Sequence, residues 1–222
     1  MEGITTLSSS QSQAVLTTNK LIRNTYTLLA LTLAFSALTA GLSMSLNLPH
    51  LGPLITIGGY FALLFLTVKF RNSSAGVFLV FALTGFMGLT LGPILSMYLA
   101  LPNGGALVMQ AMGGTAVIFF ALSAYVFKSK KDFSFIGGFL FAGMIVLLIA
   151  MLVAIFFPMP ALSLAVSAGF MLLASGLILY ETSNIIHGGE TNYIMATVSL
   201  YVSIYNLFVS LLHILGVFSG DD

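Results

Sequence analysis

A single carboxylate sits well inside an apolar stretch of this sequence. It is Glu181, near the end of the segment 161–185. Keeping an acid charged away from water is expensive, so a carboxyl group at that depth is by default a candidate functional group. It is also a group whose charge can follow the pH of the compartment it faces. The alternative is structural: Glu181 lies close enough to the end of its stretch to reach water, or to pair with Lys69, Arg71 or a loop lysine. The next stretch carries a second pattern. Ser199, Ser203, Asn206, Ser210 and His213 recur at steps of four, three, four and three, which on a helix makes one continuous polar stripe. Lipid would penalise that face, so it must point into protein. Two readings stay open for it: hydrogen bonds between helices, each worth about 0.6–2 kcal/mol, or the wall of a hydrated pathway.

Other chemistry has little to stand on. The chain has no cysteine, which removes disulfides, thiolate nucleophiles and cysteine-based metal sites. His50, His187 and His213 fall at no metal-ligand spacing, so we expect no metal and no cofactor. No Ser-His-Asp arrangement or phosphate-binding loop is recognisable, and we expect no enzymatic activity. His187 and Glu190 read as solvated loop residues flanking the Gly188-Gly189 turn. The formal net charge is +1, which gives nucleic acid nothing to bind.

The elements that must hold these residues follow from composition. Of the 222 residues 59% are hydrophobic and 6% charged, against roughly 25% charged in a soluble domain. Lipid must therefore solvate most of the surface. A spanning helix needs about 20 mostly apolar residues. Charges, prolines and asparagines break the chain at 47–50, 69–74, 101–105, 128–132, 158–160 and 187–192, leaving stretches near 25–46, 52–68, 76–99, 106–127, 134–157, 161–185 and 193–218. We expect an all-α integral membrane protein, a bundle of seven antiparallel transmembrane helices over residues 24–218. The second stretch is the shortest and holds Gly58-Gly59. Within the third, Thr84, Gly88 and Gly92 repeat every four residues. They suit close helix packing, or a bend that shapes a central cavity. Pro93 should kink that helix and free a backbone carbonyl, which must find a partner inside the protein.

Charge orients the bundle. Every Lys and Arg (Lys20, Arg23, Lys69, Arg71, Lys128, Lys130 and Lys131) falls on one side if there are seven spans, and Asp221-Asp222 ends the chain on the other. The excess of basic residues in cytoplasmic loops then places the N-terminus inside and the C-terminus, with a short tail 219–222, outside. Residues 1–23 are polar, lack the pattern of a secretory signal, and read as a disordered cytoplasmic tail.

Several motifs resemble those of one family. Gly92-Pro93-Ile94-Leu95, then Ala111 with Thr115-Ala116-Val117-Ile118-Phe119, look like the signature of the Bax inhibitor-1 (transmembrane Bax inhibitor motif) family. Tyr180 to Tyr193 and Leu200 to Phe208 resemble its last two helices, and the segments Leu21–Tyr26 and Ser123–Val126 are similar to its proteobacterial, YccA-like branch. The resemblance spans nearly the whole chain after about residue 20. It implies a bacterial inner-membrane protein with six helices around a central one. In some members an acid of the sixth helix and another of the seventh share a proton and gate a pH-sensitive calcium leak. Glu181 matches the first position, whereas Ser203 stands at the second and cannot ionise, so a coupled carboxylate pair is missing. Glu181, Ser203 and Asn206 remain the pH-sensing and gating candidates. The proteobacterial branch instead implies a modulator of FtsH, the membrane-anchored ATP-dependent protease. The polar tail would be the segment that the protease takes hold of. Membrane lipid, an FtsH-type protease and calcium are thus the expected partners.

Overall fold

The computed structural model describes residues 2–157 and 159–219, with the backbone alone for 2–15 and Ile155. The chain is a succession of helices: α1 (Glu2–Ser45), α2 (Gly52–Lys69), α3 (Ser74–Leu99), α4 (Gly104–Ser129), α5 (Gly137–Phe156), α6 (Pro160–His187) and α7 (Tyr193–Ser219). A single 3-10 turn, Ser134–Ile136, leads into α5, and there is no strand among the described residues. Seven helices are long and apolar enough to cross a membrane. Even the shortest, α2, has 18 residues and rises about 27 Å, close to the hydrocarbon thickness of ~30 Å. Pro53 and Pro160 stand in the first turns of α2 and α6, where a missing N–H leaves no bond unmade.

The N-terminus differs from its expectation as a disordered tail over 1–23. From Glu2 onward the backbone is helical and continuous with the first span, whose apolar part starts at Leu16. Residues 4–24 hold neither Gly nor Pro, so a helix nucleated by the span meets no breaker as it propagates towards the N-terminus. Met1, Pro158 (part of the expected break at 158–160) and residues 220–222 lie outside the described residues. The short tail expected at 219–222 is thus described only at Ser219, which is the last residue of α7.

The interior helix is α7, which packs against α1, α3, α4 and α6. It contributes Ile194, Leu200, Tyr201 and Leu207 to the core, where they meet Leu29 of α1, Val80 and Leu83 of α3 and Ile178 of α6. Of the six helices that the family resemblance places around it, these four pack directly on it. Two helices lie further out, α2 mainly on α3 and α5 mainly on α6.

Within the bundle α1 and α3 make the most extensive contact, and small residues allow it. A side chain at Gly88 would run into the Ser36 carbonyl and the Thr39 hydroxyl, and one at Gly92 into Ser43. Pro93 lies inside α3 and offers no N–H to the carbonyl of Leu89, four residues earlier. The Ser43 hydroxyl of α1 donates to that oxygen at 2.8 Å. The freed carbonyl has found its partner in the neighbouring helix. Replacing Ser43 by Ala should therefore destabilise the protein by about 1–3 kcal/mol, through an acceptor left unpaired in a dry site. Gly88→Leu should be worse, since it drives α1 and α3 apart. Thermal unfolding in detergent, followed by circular dichroism, reads both; wild-type midpoints for the two variants would show that this contact does not hold the bundle.

Candidate functional site

Glu181 leaves α6 in the direction of α7. The residue is half-buried; the Ser199 hydroxyl lies near enough to its carboxyl group to interact, while the Glu190 carboxylate in the following loop repels it. Ser199 and Glu190 are the groups that act on it, not Lys69 or Arg71. The other members of the stripe are bonded elsewhere. Ser203 turns back on its own helix and donates to the Ser199 carbonyl at 2.9 Å. Asn206 does the same through its amide to the Val202 carbonyl, also at 2.9 Å. Ser210 is buried. His213 meets the Ser167 hydroxyl of α6 at 2.8 Å. The stripe therefore faces α6, tied across at both ends by Glu181–Ser199 and Ser167–His213, about 21 Å apart along α7. Of the stripe, Ser199 is the member that acts on the acid, while Ser203 and Asn206 lie one and two turns further along α7.

A cavity lies on the other side of α7. Tyr201, Ile204, Tyr205 and Phe208 form one wall of a space of about 470 Å³, lined further by Leu33 and Ala37 of α1, Leu91 and Leu95 of α3, and Met112 and Phe119 of α4. Its lining is almost wholly apolar. Where α1, α3 and α7 meet, the Ser36 hydroxyl lies 2.6 Å from the Tyr201 phenol, which donates to the Thr84 carbonyl at 3.2 Å. Sequence reasoning passed over Tyr201 and Ser36. The signal that could have found them is a tyrosine in mid-span, since a buried phenol needs a partner.

A further network closes the end of the bundle where Glu181 lies. His187 places one ring nitrogen 3.0 Å from the Ser183 carbonyl and the other 3.1 Å from the Lys130 carbonyl. Ser183 accepts the amide of Phe133 at 2.8 Å. Asn192 caps α7 through the amides of Ile194 and Met195, and its own amide reaches the Arg71 carbonyl and Asn72. Glu190 accepts the amides of Thr191 and Asn192. The loop α6–α7 thus fastens the loops α2–α3 and α4–α5 together. His187 is exposed and Glu190 half-buried, and beyond the solvated reading both also hold these turns in place.

These features define an α-helical membrane bundle with one interior helix and a polar seam. Among the described residues no three His, Cys, Asp or Glu side chains group closely enough to hold a metal ion. The chain belongs to the Bax inhibitor-1 family: the family model described as "Inhibitor of apoptosis-promoting Bax1" matches residues 18–220. Among its relatives, the "Modulator of FtsH protease YccA" of Escherichia coli K12 is 57% identical over 214 residues, 96% of this chain and 97% of that one. The same identity and coverage hold for the "Inner membrane protein YccA" of Escherichia coli O6:H1. An uncharacterized protein of Pseudomonas aeruginosa is 60% identical over 201 residues, 90% of each chain.

Two outcomes follow from the geometry. Ser199→Ala strips Glu181 of its hydroxyl partner and should destabilise the protein by about 1–3 kcal/mol, whereas Ser203→Ala removes only a bond within α7 and should do less. Equal losses in thermal unfolding would place the acid against both serines. Asp132, fully exposed in the α4–α5 loop, is held below the usual carboxylate range, chiefly by the Ser134 amide. A carboxyl group more acidic folded than unfolded stabilises the turn above its unfolded value, and the gain is lost as pH falls through the folded one. Asp132→Asn should therefore flatten the acid limb of the stability profile of this turn, read from amide exchange at Phe133–Ile136; an unchanged limb would show that Asp132 does not govern it.

Proposed function

We propose that this protein is an inner-membrane modulator of an FtsH-type ATP-dependent protease, with its N-terminus in the cytoplasm and its C-terminus outside. The observation that carries this reading is the end-to-end similarity to the Escherichia coli protein named for that role. The orientation draws on the basic residues, all seven of which lie in the first turns of α1's apolar part or at the ends of α2 and α4.

The chemistry of the N-terminus supports the same reading. A protease that extracts membrane proteins needs a segment that unwinds readily. Residues 5–19 hold no charged side chain and are rich in Ser, Thr and Gln. Serine and threonine are indifferent helix formers, and a short helix without packing is marginal in water. This stretch leads directly into α1's apolar part, so force applied to it reaches the bundle without a linker. The chain then acts by occupying the protease, which slows degradation of other membrane substrates.

A calcium pathway is the weaker reading. It needs two carboxylates in one titrating unit, and the second position is Ser203. Ser199 is the hydroxyl beside the acid, and the cavity bordered by α7 has an apolar lining, which offers a divalent cation no compensation for its lost hydration.

Two experiments test the proposal. In cells with an FtsH-type protease, the full chain should be degraded and should slow turnover of a second membrane substrate, while a chain lacking residues 2–19 should persist and slow nothing. Unchanged turnover of the shortened chain would discard the handle, and failure of the full chain to slow the second substrate would discard the modulator. In liposomes, calcium entry should match that of protein-free vesicles between acidic and mildly alkaline pH. A pH-dependent flux that Glu181→Gln abolishes would restore the channel.

A further inference from the structure

The α4–α5 connector holds the densest group of basic side chains in this protein: Lys128, Lys130 and Lys131, against the single acid Asp132. All three lysines are exposed, and among the described residues none of them pairs with a carboxylate. Asp132 is already engaged by the Ser134 amide at 2.8 Å. Lys130 also ends α4 with a φ of 50°, a left-handed conformation that glycine would hold at less cost. The connector thus keeps a long cationic side chain where its backbone favours none.

Hydrogen bonds fix where these charges stand. Leu177, Tyr180, Ser183 and His187 follow one another along α6 at steps of three, three and four, and so share one face. The connector runs down that face. The Lys130 carbonyl meets His187 at 3.1 Å, and the Phe133 amide donates to Ser183 at 2.8 Å. A side chain at Gly137 would run into the Tyr180 ring. There Gly137 and Tyr180 border a cleft of about 260 Å³ between α5 and α6, lined further by Leu140, Phe141, Met144 and Leu177. Tyr180 lies about 10 Å along the helix axis from His187, so the lysines stand at the exposed end of the face and the apolar cleft lies deeper along it. Phe141 is 70% exposed, which leaves the cleft open sideways to lipid.

Charge and depth together select the occupant. A soluble anion would use the lysines and leave the cleft empty. A zwitterionic lipid would fill the cleft and gain no net charge attraction. An acidic peptide would have to carry its backbone to a depth where nothing hydrates it. An anionic phospholipid uses both halves, and basic pockets between transmembrane helices suit such headgroups. The Tyr180 phenol adds an amphipathic ring of the kind found at headgroup level. We propose that the α4–α5 connector and the α5–α6 cleft together bind one anionic phospholipid, its phosphate against Lys130 and Lys131 and one acyl chain in the cleft. The site requires only that the bundle lie in a bilayer, and it does not depend on the protease reading.

Phosphatidylglycerol and phosphatidylcholine, titrated separately onto the purified full chain in detergent and counted by native mass spectrometry, test the preference. One lysine near a membrane surface favours anionic lipid by roughly fivefold, so Lys130→Gln with Lys131→Gln should weaken phosphatidylglycerol binding by roughly 25-fold and leave phosphatidylcholine unchanged. Both positions are exposed, and circular dichroism checks that the fold is kept. Lys69→Gln with Arg71→Gln removes the same charge from the α2–α3 loop and should change little. On the wild-type chain, phosphatidylglycerol carrying a photoreactive acyl chain should cross-link within residues 137–144 or 177–180, and excess inorganic phosphate should not displace it. Four results would overturn the proposal: equal affinity for the two lipids, equal losses from the two charge-removing pairs, cross-links only outside those residues, or displacement by phosphate alone.

Discussion

At membrane depth a polar group has no water to turn to, and the arrangement of this bundle follows from that constraint. Some groups are closed within their own helix: Thr67 donates to the Leu63 carbonyl and Thr115 to that of Ala111. These bonds are neutral in their consequences, since they let a hydroxyl face either lipid or protein. The decisive groups have no such exit. The Leu89 carbonyl, abandoned by Pro93, requires a donor from another helix and receives Ser43. The Tyr201 phenol is too long to turn back on α7 and reaches Ser36 and the Thr84 carbonyl. Each of these bonds brings α1 and α3, or both of them and α7, into one register. Gly88 and Gly92 then set how closely α1 and α3 approach.

The same constraint gives α7 two faces with different tasks. One face is polar and is spent against α6, the helix with which α7 shares its longest contact. The opposite face carries Tyr201, Ile204, Tyr205 and Phe208 and borders the cavity. A hydrated pathway along α7 would need the polar face turned to the open space. Here the polar face is in the seam and the open space is apolar. Glu181 then has a neutral hydroxyl across the seam and a like charge, Glu190, towards the loop.

Much of this was legible in the sequence, for a physical reason. Lipid demands length and apolarity of every span, so seven stretches stood out, and none of their limits depends on tertiary packing. Pro93 is similarly transparent: the missing N–H fixes which carbonyl is orphaned, although only the structure names Ser43 as its donor. What periodicity cannot supply is the register between two helices. The stripe of α7 is a property of one helix, but whether Glu181 meets Ser199 or Ser203 depends on how far α6 slides along α7, and one turn separates the answers. The N-terminus failed for a different reason. Composition reports what a segment can bury, whereas residues 4–24 have a helix behind them and no breaker among them. The loop network was also hidden, because His187 and Lys130, like Asn192 and Arg71, come from separate parts of the chain.

On the proposed function, the two ends of α1 do opposite things, and the contrast is informative. The segment ahead of Leu16 is polar and indifferent to helix formation, which makes it easy to engage. From Leu28 onward α1 lies in the core beside α3 and α7, with glycines of α3 against it and buried polar bonds across to it. A translocating protease that grips the first part must break the second before anything else yields. Buried bonds in a dry interior open only when the helices separate, so α1 is held until α3 and α7 give way together. A chain that is quick to engage and slow to extract occupies its protease for a long time. That combination needs no catalytic group and no open pore. It would make a competitor out of a substrate, through the difference in stability between the two ends of a single helix.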